Sequence, residues 1–130
     1  MSVQLKRAYL PPSPEDGARV LVDRLWPRGL RREDAAIDLW LKDAAPSAEL
    51  RRWFGHDPAR WTEFRKRYEV ELAAKGDILR ELAGIAGRGA LTLVYGARDE
   101  QHNHAIVLRD ALERQKAAGV AGLASTKLLF

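Results

Sequence analysis

Arg19-Val20-Leu21-Val22-Asp23-Arg24-Leu25-Trp26-Pro27-Arg28-Gly29 decides the fold, because the stretch changes character at its middle. Val20, Leu21 and Val22 form an apolar run rich in β-branched side chains, the composition of a strand covered on both faces. An acid, two arginines and a tryptophan then follow in Asp23, Arg24, Arg28 and Trp26. Pro27 removes a backbone donor and holds Trp26 extended, so the strand must end there, and Gly29 permits a sharp turn. The predicted strand is Arg19 to Leu25. In open α/β sheets ligands bind outside the carboxyl ends of the strands, which makes this exit the place to look for a site.

The neighbouring segments supply the rest of a layered domain. Val3 to Tyr9 alternates loosely as a short strand, broken by Pro11-Pro12-Ser13-Pro14. Ile37 to Lys42 reads equally as a strand or as one helical turn. Ser47 suits the cap of a helix running to Phe54 and stopped by Gly55. Asp57-Pro58 starts another, in which Trp61, Phe64, Tyr68 and Leu72 make one apolar stripe. Gly76 is read as its end and Asp77 as the cap of the next helix, Ile78 to about Ala86, before a Gly87-Arg88-Gly89 loop. Leu91 to Tyr95 is a second buried strand, and a last helix runs from about His102 to Ala117.

These segments predict a small single-domain α/β fold over residues 1–118, with a mainly parallel three- or four-stranded sheet flanked by helices. Residues 119–130 form a C-terminal tail, read as a frayed end, with docking on a partner as the alternative. The link from Tyr9 to Arg19 is short for a parallel crossover. The first two strands are therefore antiparallel, or another strand separates them.

Composition narrows the chemistry. There are no cysteines among the 130 residues, so disulfides, thiolate nucleophiles and cysteine-held metals are excluded. No run approaches the ~20 apolar residues that span a bilayer and no signal peptide is evident, which points to the cytoplasm and away from a membrane partner. The net charge is +4, and the first 32 residues hold seven of the basic side chains against three acids. That asymmetry favours an anionic partner near the loop, against the plainer reading of a solvated basic face.

RVLVDRLWPRG at 19–29, DLWLKDAAPSAELRRWFGHDPARWTEFRKRYEVEL at 38–72 and LTLVYGARDEQHNHAIVL at 91–108 together resemble the YeaO-like branch of a bacterial domain-of-unknown-function family. The resemblance covers about Lys6 to Leu112. It implies a compact α/β fold and brings no settled activity with it. A larger related group carries a Cys-His-Arg signature where this chain has Asn103-His104-Ala105, so thiol chemistry does not carry over.

Three groups of residues could carry chemistry. Asp23, Arg24, Trp26 and Arg28 lie at the strand exit. Alternation puts Asp23 and Leu25 on one side of the strand and Arg24 on the other. The arginines offer planar forks suited to phosphate or carboxylate, Trp26 a stacking surface, and Asp23 an acid–base group. The competing structural reading pairs Asp23 with an arginine that pins the loop. The second group follows the last strand: Tyr95-Gly96-Ala97-Arg98-Asp99, then His102, Asn103 and His104. Here His104 is the acid–base candidate and Asn103 a ligand contact; the plainer reading makes Asp99 a cap and the histidines surface residues. His102 and His104, at i and i+2, point to different sides of a helix and do not easily share one ion; they could do so only from a loop, with Asp99 or His56 completing the site, and no metal is assigned. Lys42, Ser47, Arg51 and His56 form a third group without an assigned role, and Trp40, Trp53 and Trp61 are read as core.

The favoured function is a pocket binding a phosphate-bearing or nucleotide-like small molecule, with Asp23 and His104 as catalytic candidates and Arg24, Trp26, Arg28 and Asn103 as ligand contacts. Neither a reaction, a cofactor nor an oligomeric state follows from these residues. The alternatives are a non-catalytic nucleic-acid-binding module, disfavoured by balanced charge along the 60–75 helix, and an interaction protein that uses its tail.

Overall fold

The computed structural model describes residues 3–115. Four strands form one sheet: β1 (Val3–Arg7), β2 (Ala18–Leu21), β3 (Leu39–Trp40) and β4 (Leu91–Tyr95). Their order is β1-β4-β2-β3, and every neighbouring pair is parallel. The short link between β1 and β2 is thereby explained. It spans two strand widths because β4 lies between them, with Val3 and Ala18 both in register with Leu91.

Side chains of β2 and β4 alternate between two apolar layers, as strand geometry requires. Val20, Val22, Leu91, Leu93 and Tyr95 enter the larger layer. It is covered by α2 (Ala48–Phe54), α3 (Trp61–Ala73), α4 (Gly76–Arg88) and a last helix, α5, at 104–115. Phe64, Tyr68 and Leu72 of the predicted α3 stripe are buried in it, each worth roughly 1.5–3 kcal/mol by area removed from water. Leu21 and Val94 enter the smaller layer with Ala8. That face has no long helix. Trp26, Leu30, Ile37 and Trp40 close it, from the segment that contains the one-turn α1 (Arg32–Ala35).

Several boundaries differ from the sequence expectation, each for a physical reason. β2 ends at Leu21 instead of Leu25, because only Val22 makes a further ladder bond, to Val94 O at 3.0 Å. The alternation drawn for Asp23, Arg24 and Leu25 therefore does not apply, since these residues lie beyond the strand. Ile37 to Lys42 contains both expected forms: a two-residue strand at Leu39–Trp40, then a tight turn at Lys42–Ala44. Gly76 opens α4, and α4 continues through the expected loop to Arg88. Trp40, Trp53 and Trp61 pack at the margins of the two layers and are only partly buried. The tail at 119–130 lies outside the described residues.

Part of the basic first quarter is structural. Arg19 is 3% exposed; its guanidinium meets Asp16 at 2.6 Å and donates to the carbonyls of Ala35 and Ala36. Lys6 reaches the same carboxylate at 3.1 Å. Burial raises the Asp16 pKa. Hydrogen bonds from the Ser13 amide, Lys6, Arg19 and the Ser13 hydroxyl together outweigh it, and the carboxyl is held down at about 2. This cluster serves the β1–β2 connection, so the excess charge does not all belong to the strand exit. No described helix is long and apolar enough to cross a membrane.

Candidate functional site

The site begins with an exchanged rung of the sheet. In a parallel ladder, the bond from Val22 N to Val94 O would be followed by one from Gly96 N to Val22 O. Here Gly96 N donates instead to Asp23 Oδ2 at 2.8 Å. The free Val22 carbonyl accepts from His104 Nε2, at 3.0 Å. Two side chains thus replace one backbone bond, and the strand ends part at that point. His104 sits on the first turn of α5, so the same contacts tie α5 to the sheet.

The chemistry of the pair follows from its partners. A carbonyl only accepts, so Nε2 of His104 carries the proton. That N–H faces Val22 O, and Asp23 Oδ1 lies 3.2 Å away without a hydrogen bond. Asp23 is 19% and His104 13% exposed at the side chain, so both are sheltered but reachable. Among the described residues Asp23 pairs with no arginine, which corrects the structural alternative drawn from sequence. It does pin a loop, but through Gly96 and His104. Gly96 has little freedom to change: a Cβ there would lie 2.9 Å from Asp23 Oδ2.

Where the strands part, a cavity of about 340 Å³ opens at their C-terminal ends. Asp23, Arg24, Trp26, Arg28 and His104 all line it. Among the described residues Arg24 meets Asp43 in an exposed ion pair at 3.3 Å, a kind of contact worth little. Trp26 is fixed by its indole N–H on Leu30 O at 2.7 Å and by an edge contact with Trp40. Arg32 stacks on its ring at 5.0 Å. The Arg28 carbonyl accepts from the Tyr9 hydroxyl at 2.8 Å, and the residue is exposed at the cavity's edge.

Asn103 is placed elsewhere. It is buried, donates to Asp99 O at 3.0 Å and accepts from Ile106 N, and it does not line the cavity. Its geometry is that of a cap on α5. Asp99 receives the amides of Gln101 and His102 and meets His102 Nδ1 at 2.9 Å. Those contacts, the Gln101 amide first, lower its pKa. His102 therefore turns away from His104, towards Asp99 and Trp61.

Two residues that the sequence left without a role complete the lining: Arg51 and His56. Arg51 lies on α2 between the buried Leu50 and Phe54, and its Nε is buried with no hydrogen-bond partner. An arginine at that spacing was the available signal. His56 follows Gly55, and both residues are left-handed, with φ of 54° and 56°. A histidine in this conformation costs energy that a glycine would not, and nothing in the sequence marks it. Phe54, read from sequence as a helix end, and Phe64, read as part of the apolar stripe, form the apolar wall.

A small α/β protein with an all-parallel sheet and a strand-end cavity is the class that fold and site define. The sequence pattern of the family described as the inactive DUF488-N3 subclade matches residues 2–126, and the chain belongs to that family. It is 46% identical over 112 residues to the uncharacterized protein YeaO of Escherichia coli K12, covering 86% of this chain and 97% of that protein. It is 44% identical over 110 residues to the uncharacterized proteins Mb3100c of Mycobacterium bovis and Rv3073c of Mycobacterium tuberculosis, covering 85% of this chain and 92% of each. No solved structure matches it.

Proposed function

We propose that this protein binds a phosphate-bearing, nucleotide-like small molecule in the strand-end cavity and does not transform it. The observation that carries this reading is the convergence of Arg24, Arg28 and Arg51 on one cavity with an aromatic wall. Guanidinium forks suit phosphate oxygens, and Trp26, Phe54 and Phe64 offer faces to a base or sugar. Arg51 Nε in particular is a buried donor without an acceptor, and an anion would supply one.

Binding without turnover is favoured by the engagement of the two acid–base candidates. Asp23 Oδ2 is committed to Gly96 N and His104 Nε2 to Val22 O, so both hold the cavity floor. The description of the family as an inactive subclade agrees with this. The test is a thermal-shift screen of nucleotides and sugar phosphates against the wild type and Arg51→Gln. A ligand at 100 times its Kd adds about 2.7 kcal/mol of stability. The wild type should respond and the variant should respond far less. A folded wild type whose melting point no phosphate compound moves refutes the proposal.

A further inference from the structure

A second cavity, about 330 Å³, lies against the first and shares Arg24, Arg51, Ala45 and Pro46 with it. Its own contribution includes Lys75, at the entry to α4, with Ala48 and Ile78. We propose that this hollow is a second anion subsite, so that the ligand carries two separated phosphate groups, as a nucleoside bisphosphate does. The inference rests on the proposed use of the first cavity and adds the substrate class.

Three cations face the hollow: Arg24, Arg51 and Lys75. The nearby acids offset them incompletely. Glu71 is occupied by Ser47, accepting from its amide at 2.8 Å and its hydroxyl at 2.6 Å. Asp43 also lines the hollow, is 79% exposed at the side chain and, among the described residues, meets the Arg24 guanidinium at 3.3 Å. Lys75 Nζ donates to the Asp43 and Ala45 carbonyls at 2.7 and 2.8 Å. An ammonium has three donors, so one remains for a ligand. Burial lowers the Lys75 pKa, the neighbouring Arg24 adds to the effect, and Glu71 and Asp43 offset it only in part. Arg51 stands in the shared wall, and its five-donor fork can reach an anion on either side. A ligand with one phosphate would leave one of the two hollows unfilled.

Isothermal titration with adenosine 5′-monophosphate, adenosine 5′-diphosphate and adenosine 3′,5′-bisphosphate tests this. The 3′,5′-bisphosphate should bind tenfold or more tightly than the monophosphate, and more tightly than the diphosphate, whose two phosphates are adjacent. Lys75→Met should bring the ratio of bisphosphate to monophosphate affinity close to one. Because Lys75 also ties down two carbonyls, Ala48→Glu provides a second arm. Ala48 is exposed at the first turn of α2, where an acid is well tolerated, and the new carboxylate would repel a phosphate from the second hollow. Arg52→Ser, an exposed charge on the same helix that lines neither cavity, should keep the ratio. If the monophosphate binds and the bisphosphate binds no better than it or than the diphosphate, the second subsite is refuted and the first stands. An equal loss of the ratio in Arg52→Ser also refutes it, by showing a diffuse charge effect. If none of the probes binds, both readings fall.

Discussion

Replacing Asp23 tests the exchanged rung directly. Asp23→Ala removes the acceptor of Gly96 N, at 2.8 Å, and the charge beside His104 Nε2, at 3.2 Å. A hydrogen bond to a charged group contributes about 1.5–3 kcal/mol, and the stranded amide costs more if it stays buried. Gly96 N can recover part of this by turning to Val22 O, but only by displacing His104 from that carbonyl. The expected loss is therefore about 2 kcal/mol, with an unchanged denaturant slope. Asp23→Asn keeps an oxygen for Gly96 and loses the charge, and should cost about 1 kcal/mol. His104→Ala should cost less on top of Asp23→Ala than alone, because the two side chains share one arrangement. Urea melts of the three variants and the double variant measure all of this. An Asp23→Ala loss below ~0.5 kcal/mol, the scatter of ordinary surface substitutions, refutes the account of how the strand ends are held.

Acid stability should depend on Asp16. Its folded pKa is about 2 against an ordinary 3.8, so its contribution is fully present above the ordinary value and is lost as pH falls towards 2. The shift corresponds to about 2 kcal/mol, and the stability-versus-pH curve of Asp16→Asn should flatten by that amount over this window. Gly17→Ala should cost about 2–4 kcal/mol in a urea melt: its φ is +62° and a Cβ would lie 2.3 Å from Ala90 O, which is backbone and cannot step aside. His56→Gly should change stability by less than ~0.5 kcal/mol, because relief of a left-handed histidine offsets the roughly 0.5–1 kcal/mol entropy cost of glycine. Because His56 lines the cavity, the same variant should nevertheless weaken the thermal-shift response to phosphate compounds.

What could be read in the sequence follows from which forces are local. Val20 to Val22 and Leu91 to Tyr95 are strands because their composition suits only a doubly covered layer, and Trp61 to Leu72 is a helix because its stripe has one period. The order of the strands was readable only in part: the short link from Tyr9 to Arg19 required an intervening strand or an antiparallel pair, and nothing in β1 says that β4 fills the gap. Charge was the least legible feature. Arg19 and Arg28 look alike in sequence, yet one is buried on Asp16 and the other is exposed beside the cavity. The difference depends on Asp16 folding back three residues, a contact set by the Ser13–Asp16 turn. Asp23 and His104 were both nominated, and the structure brings them together at 3.2 Å. Their role depended on a backbone carbonyl that has no sequence signature. Val22 O is freed only because Gly96 N finds a carboxylate one residue further along. The same exchange that fastens α5 to the sheet also stops β2 and β4 from zipping past Val22. A cavity at this place is thus a consequence of how the strands end, and a variant that restores the backbone rung should narrow the cavity as it weakens the hold on α5.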